Sequence, residues 1–127
     1  MQKEVPFYSN TPDNTHCFQA ALKMIIGYFW PDENYSWQEL DKHTAKVEGL
    51  WTWQMAGLIW LKEKGLEVKN IESFDYSKFI ELGGQYLIEE YGEGVGKSQI
   101  EHSNISQELE IAKKFIQLIE TKKKFPI

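Results

Sequence analysis

Arginine is absent from the 127 residues: all 14 basic side chains are Lys. No bidentate guanidinium clamp on a phosphate or carboxylate is therefore available. Cysteine occurs once, at Cys17, which excludes an internal disulfide and any multi-thiolate zinc site. No apolar run approaches the ~20 residues of a membrane helix, and Met1–Pro6 has no apolar core of the secretory type. A cationic surplus is also missing. Nineteen acids against 14 bases give a net charge of −5, which argues against binding to a nucleic-acid backbone. Neither a nucleic-acid nor a membrane partner is expected, and a cytoplasmic location suits the free thiol. Internal repeats and low-complexity segments are likewise absent.

What is present is the balance of a folded protein, with 42% hydrophobic and 26% charged residues. Five Trp, six Tyr and seven Phe supply large core side chains. The length suits one domain, or part of a larger one, over residues 1–127.

Patterning along the chain is mainly helical. Val5–Tyr8 reads as short and extended, and Ser9–Asn14 as turn chemistry. A helix capped by Asn14 or Thr15 follows, with Cys17, Ala20, Ala21, Met24, Ile25 and Tyr28 at helical spacing, ending at Pro31. Ser36 and Glu39 form a capping-box pattern for a short helix to about Lys42. A third helix opens at Trp51 or Thr52, carries Met55, Leu58, Ile59 and Leu61 on its apolar face, and is closed by Gly65. Leu66–Ile71 alternates as a short strand. Asp75 caps a helix over Tyr76–Leu82, interrupted at Gly83–Gly84 and resumed to Tyr91. Tyr91–Gly96, with three glycines, reads as a linker. The last helix, Ser106–Thr121, carries Ile105, Leu109, Ala112, Ile116 and Ile119, widened by Phe115. Lys122–Lys124 then suit the helix dipole. The expected class is mainly α (α+β if intact), with about five helices and one or two short strands.

Cys17 is the residue on which chemistry turns. In the first turn of a helix, backbone N–H groups point at its sulfur and favour thiolate over thiol. The alternative is a lone cysteine packed as a small apolar side chain. His16 adjoins it, but consecutive helical side chains diverge and do not meet. His43, at the end of the second helix, reads as solvent-facing, and His102 as a polar residue at a helix junction. Cys17 with His16 and His43 matches no zinc spacing, and no metal or cofactor is implied.

Val5–Pro6–Phe7–Tyr8–Ser9, the turn Pro12–Asp13–Asn14–Thr15, and Cys17 followed by Ala20–Ala21–Leu22–Lys23–Met24–Ile25–Ile26–Gly27–Tyr28–Phe29 resemble the opening of a papain-like cysteine peptidase domain. The similar branch is that of the bacteriocin-processing (double-glycine) peptidases. Ser36–Trp37–Gln38–Glu39–Leu40 resembles the helix that follows there, and Gly49–Gly65 the next. The resemblance covers roughly residues 5–72 and departs at two places. Phe18–Gln19 follow Cys17 where the family has glycine and then proline or alanine. Thr11 stands six residues before Cys17, where the family has an oxyanion-hole Gln. Asn10 is then the candidate oxyanion donor, a role worth roughly 3 kcal/mol in such chemistry.

The resemblance implies a helical, Cys-bearing subdomain in which Cys17 is the nucleophile for hydrolysis of peptide or amide bonds. It assigns no catalytic His or Asp to this chain; in the family these lie in a later, sheet-rich half. A missing His-bearing half, a partner chain or self-association would complete the fold, and as it stands the chain is expected to be weak or inactive. Trp51 and Trp53 are candidates for a substrate groove, although tryptophans more often fill cores. The alternative reading is a non-catalytic peptide-binding module built on the same fold. A second alternative is an unrelated small helical interaction domain.

Overall fold

The computed structural model describes residues 16–122. The expected extended stretch Val5–Tyr8, the turn after it and the caps Asn14 and Thr15 lie outside those residues. Helix α1 (Cys17–Phe29) is preceded by His16, which supplies no side-chain cap, and ends at Phe29 with Trp30 as its C-cap, directly before Pro31. Its buried residues are Gln19, Ala20, Leu22 and Ile26, while Cys17 and Ala21 are exposed. The expected stripe through Cys17, Ala21, Met24 and Tyr28 is therefore displaced. A polar residue, Gln19, holds a core position, where its Nε2 donates to Thr44 and Thr52 while its buried Oε1 has no partner among the described residues.

Helix α2 (Trp37–His43) has the expected capping box: Glu39 N donates to Ser36 Oγ at 3.1 Å, and Ser36 N to Glu39 Oε1 at 3.3 Å. Such a cap is worth about 1 kcal/mol. Helix α3 (Met55–Glu63) begins later than Trp51 or Thr52. Trp51 N instead donates to the His102 carbonyl at 2.7 Å, and the Thr52 hydroxyl is held by Gln19. Gly65 follows the helix with φ +110°, as expected of a glycine closing a helix.

Strand β1 (Lys69–Ile71) is shorter than the alternation suggested, and its inward residue is Asn70. Ile71 points outward and is exposed. Helix α4 (Tyr76–Leu82) is capped by Asp75, whose carboxylate accepts from Lys78 N at 3.0 Å; Gly83 separates it from α5 (Gly84–Tyr91). The glycine-rich segment expected as a linker is mostly helix α6 (Glu93–Glu101). A Cβ at Gly96 would stand 2.5 Å from Ile88 Cα, so the missing side chain lets α6 pack on the α5 backbone. Packing outweighs poor glycine propensity here.

Helix α7 (Ile105–Leu118) is followed by strand β2 (Glu120–Lys122), so Lys122 lies in a strand rather than at a helix terminus. Its buried residues are Glu108, Ala112 and Phe115, continued by Ile119, and Ile116 is exposed. The expected stripe is correct at Ala112, Phe115 and Ile119 and wrong at Ile116. The strands pair in parallel, Asn70 opposite Thr121, across the connection through α4–α7.

Among the described residues there are thus seven helices and two short strands, a mainly helical fold. The two helices beyond the expected five are α5, which Gly83 splits off, and α6. Helix α3 joins the two parts of the core. Met55 and Ile59 pack with Phe79, Leu87 and Phe115, whereas Trp60 and Leu61 pack with Leu22, Ile26 and Leu40. Among the described residues no helix is long and apolar enough to cross a membrane.

Candidate functional site

Cys17 is the first residue of α1 and its side chain is exposed, not packed as a small core residue. It lines a concavity of about 310 Å³ together with Gln19, Lys46, Leu50, Trp51 and Thr52. The N-terminus of α1 is fixed against α2 by His16, whose Nε2 lies 2.8 and 3.0 Å from the two carboxylate oxygens of Asp41. The His16 ring also rests near Trp37, with centroids 5.5 Å apart.

Behind Cys17, Gln19 is fully buried. Its Nε2 donates to Thr44 Oγ1 at 2.9 Å and to Thr52 Oγ1 at 3.1 Å. Buried amides require such partners, because an unmade hydrogen bond costs about 1–3 kcal/mol. These bonds connect the thiol-bearing helix, the end of α2 and the segment before α3. They also set the position of Thr52.

Phe18, Trp51 and Thr52 form one wall of a second, larger cavity of about 360 Å³. Trp53, Phe74 and Tyr76 continue its aromatic lining, while Gln54, Glu72 and Gln99 are polar. Phe74 stands among Trp53, Tyr76 and Tyr86, edge-on to each, with centroids 4.7–6.1 Å apart. Trp53 Nε1 donates to Ser103 Oγ at 2.9 Å, so the indole is anchored at its polar end. A single oxygen of Glu72, Oε1, accepts from Gln54 Nε2 at 3.0 Å, from Asn70 Nδ2 at 2.6 Å and from the Tyr76 hydroxyl. Burial, reinforced by the Glu72 carboxylate, raises the Tyr76 phenol well above its ordinary range. Tyr76 thus acts as a hydrogen-bond donor and not as an acid.

Each histidine has a defined place. His43 is not solvent-facing: its ring stacks on Trp60 with centroids 4.1 Å apart and planes 2° from parallel. Burial lowers its pKa. His102 caps α6, donates from Nδ1 to the Ser98 carbonyl at 2.8 Å, and stacks on Trp51 at 4.5 Å. His16 is held on Asp41. Among the described residues none hydrogen-bonds to the Cys17 sulfur, and no three His, Cys, Asp or Glu side chains gather as a metal site.

Of the residues singled out in the sequence, Cys17, Trp51 and Trp53 are thus arranged around two adjoining concavities. Trp51 lines both and is half exposed, whereas Trp53 lines the larger one and packs on the core. Asn10 and Thr11 lie outside the described residues. Sequence reasoning missed Phe18, Glu72, Phe74 and Gln99, because no local spacing joins residues drawn from three separate segments. Comparison with protein-family models, with curated proteins and with solved structures returned no match.

Proposed function

We propose that the chain is a cysteine-peptidase-like module that binds a peptide segment along the two adjoining concavities and presents Cys17 at one end of them. The observation that carries this reading is the shared wall. Phe18, Trp51 and Thr52 line both concavities, so one ligand can lie against the aromatic cavity and reach the thiol. The trough has the character expected of a peptide site, with aromatic faces for side chains and a few fixed polar groups. As it stands the module binds rather than cuts. Thioester chemistry at Cys17 needs a group to take the thiol proton, and among the described residues none of His16, His43 and His102 hydrogen-bonds to the Cys17 sulfur. Amide hydrolysis belongs to a form completed by a His-bearing part or partner.

The test uses Cys17→Ala and the wild-type chain with a pool of unstructured decapeptides. Saturable binding by Cys17→Ala, slower iodoacetamide labelling of wild-type Cys17 with peptide bound, and no cleavage are the expected results. Cleavage by wild type but not by Cys17→Ala would replace the binding module with a working peptidase. Neither binding nor protection would leave an unrelated helical interaction domain.

A further inference from the structure

The larger cavity is aromatic on most sides and carries one carboxylate. Glu72 lines it, and among the described residues no Lys or His is ion-paired with Glu72. Its donors are all neutral: the Gln54 amide, the Asn70 amide and the Tyr76 hydroxyl. They hold the group in place without cancelling its charge. All three use Oε1, which leaves Oε2 without a donor among the described residues. Gln99 lines the same cavity and supplies a second acceptor, since its buried Oε1 has no hydrogen-bond partner. Its terminal amide torsion is soft, so the oxygen can turn toward a donor. Aromatic faces beside an uncompensated carboxylate and a spare acceptor favour an organic cation with an apolar stem.

The hydrogen bonding also selects the kind of cation. A guanidinium pairs best through two parallel bonds to both carboxylate oxygens. Here Oε1 is already used three times, so only one oxygen remains, which suits the point charge of an ammonium. We propose that this cavity is a specificity pocket for a lysine side chain of the bound ligand, with Glu72 as its counter-charge and the rings of Trp53 and Phe74 against its methylene stem. The peptide-binding reading supplies only the source of this amine; the preference of the pocket for an ammonium stands apart from it.

Three probes test this by titration against tryptophan fluorescence: a lysine-centred unstructured peptide, the same peptide with norleucine at the centre, and n-butylammonium. The lysine peptide is expected to bind about ten-fold or more tightly than the norleucine peptide, the usual size of a charge-assisted contact. That preference disappears in Glu72→Gln. Because Glu72 organises three donors, circular dichroism checks that variant, and Gln99→Leu, which keeps the Glu72 contacts, provides a second test by weakening the lysine peptide selectively. Equal binding of the two peptides overturns the lysine pocket and leaves peptide binding standing. Binding of n-butylammonium that Glu72→Gln abolishes, with no peptide bound, supports the pocket and overturns the peptide reading. No binding of any probe overturns both.

Discussion

The Gln19 side-chain amide donates to Thr52 Oγ1 at 3.1 Å, and so ties the helix that begins at Cys17 to the wall shared by both concavities. The same nitrogen also donates to Thr44 Oγ1 at 2.9 Å, inside the protein. Gln19→Ala removes both bonds and leaves a cavity, so a loss of about 2–4 kcal/mol is expected in urea unfolding. Thr52→Val breaks one of the bonds at nearly constant volume and is expected to cost about 1 kcal/mol. Equal losses in the two variants would mean that neither the bond to Thr44 nor the buried volume of Gln19 contributes.

Helices α5 and α6 make a paired prediction. At Gly96 an added Cβ would meet the backbone of Ile88 and Leu87 at 2.5–2.8 Å, and backbone cannot step aside as a side-chain tip can. Gly96→Ala is expected to destabilise by roughly 3 kcal/mol. Gly94, on the same helix, has open space around its Cβ position, so Gly94→Ala is expected to stabilise by up to about 1 kcal/mol through helix propensity. Thermal unfolding of both variants checks this; destabilisation of similar size at both positions would contradict the packing account.

These glycines also mark the limit of what the sequence discloses. Ser36 with Glu39, and Asp75 ahead of Lys78, are local signals; each cap closes within three residues, and both formed as expected. Helix α6 is non-local, because its glycines oppose a helix on their own and it forms against the backbone of α5. Gln19 and Glu108 are polar residues at core positions, which apolar spacing alone does not mark. The site divides in the same way. Cys17 and the Trp51–Trp53 pair stand out by residue type, whereas Glu72 gains its role only when Gln54, Asn70 and Tyr76 converge on one oxygen.

Trp51 separates binding from stability. It is half exposed, stacks on His102 and forms part of both walls. Its backbone bond to the His102 carbonyl survives truncation. Trp51→Ala is therefore expected to change unfolding by no more than about 1 kcal/mol, in contrast to the 3–5 kcal/mol typical of a buried aromatic such as Phe115. Peptide affinity is expected to fall about ten-fold, as for a central aromatic contact. Fluorescence-polarisation titration alongside chemical unfolding distinguishes the two effects, and undiminished peptide binding would remove Trp51 from the trough.

Glu108 adds a pH-dependent contribution to the stability of this fold. It is buried on α7, its Oε2 has no hydrogen-bond partner, and burial pushes its carboxyl from 4.5 up to about 7. In the unfolded chain the group ionises at its ordinary value. Between these two pH values the folded chain therefore keeps a proton that the unfolded chain has released, and stability falls as the pH rises. Below about 4.5 both states are protonated and no penalty exists; above about 7 it is complete, at roughly 3 kcal/mol. His43 acts in the opposite sense, since its lowered pKa costs stability as the pH falls below 6.5. The comparison must therefore be made between variants rather than on the wild-type curve alone. Glu108→Gln keeps the size of the side chain and removes its ionisation. Urea unfolding at pH 4 is expected to show little difference from wild type, with an advantage for Glu108→Gln that grows through pH 5–7 and levels off at pH 8. A difference that stays constant across this range would mean that the folded chain carries Glu108 ionised.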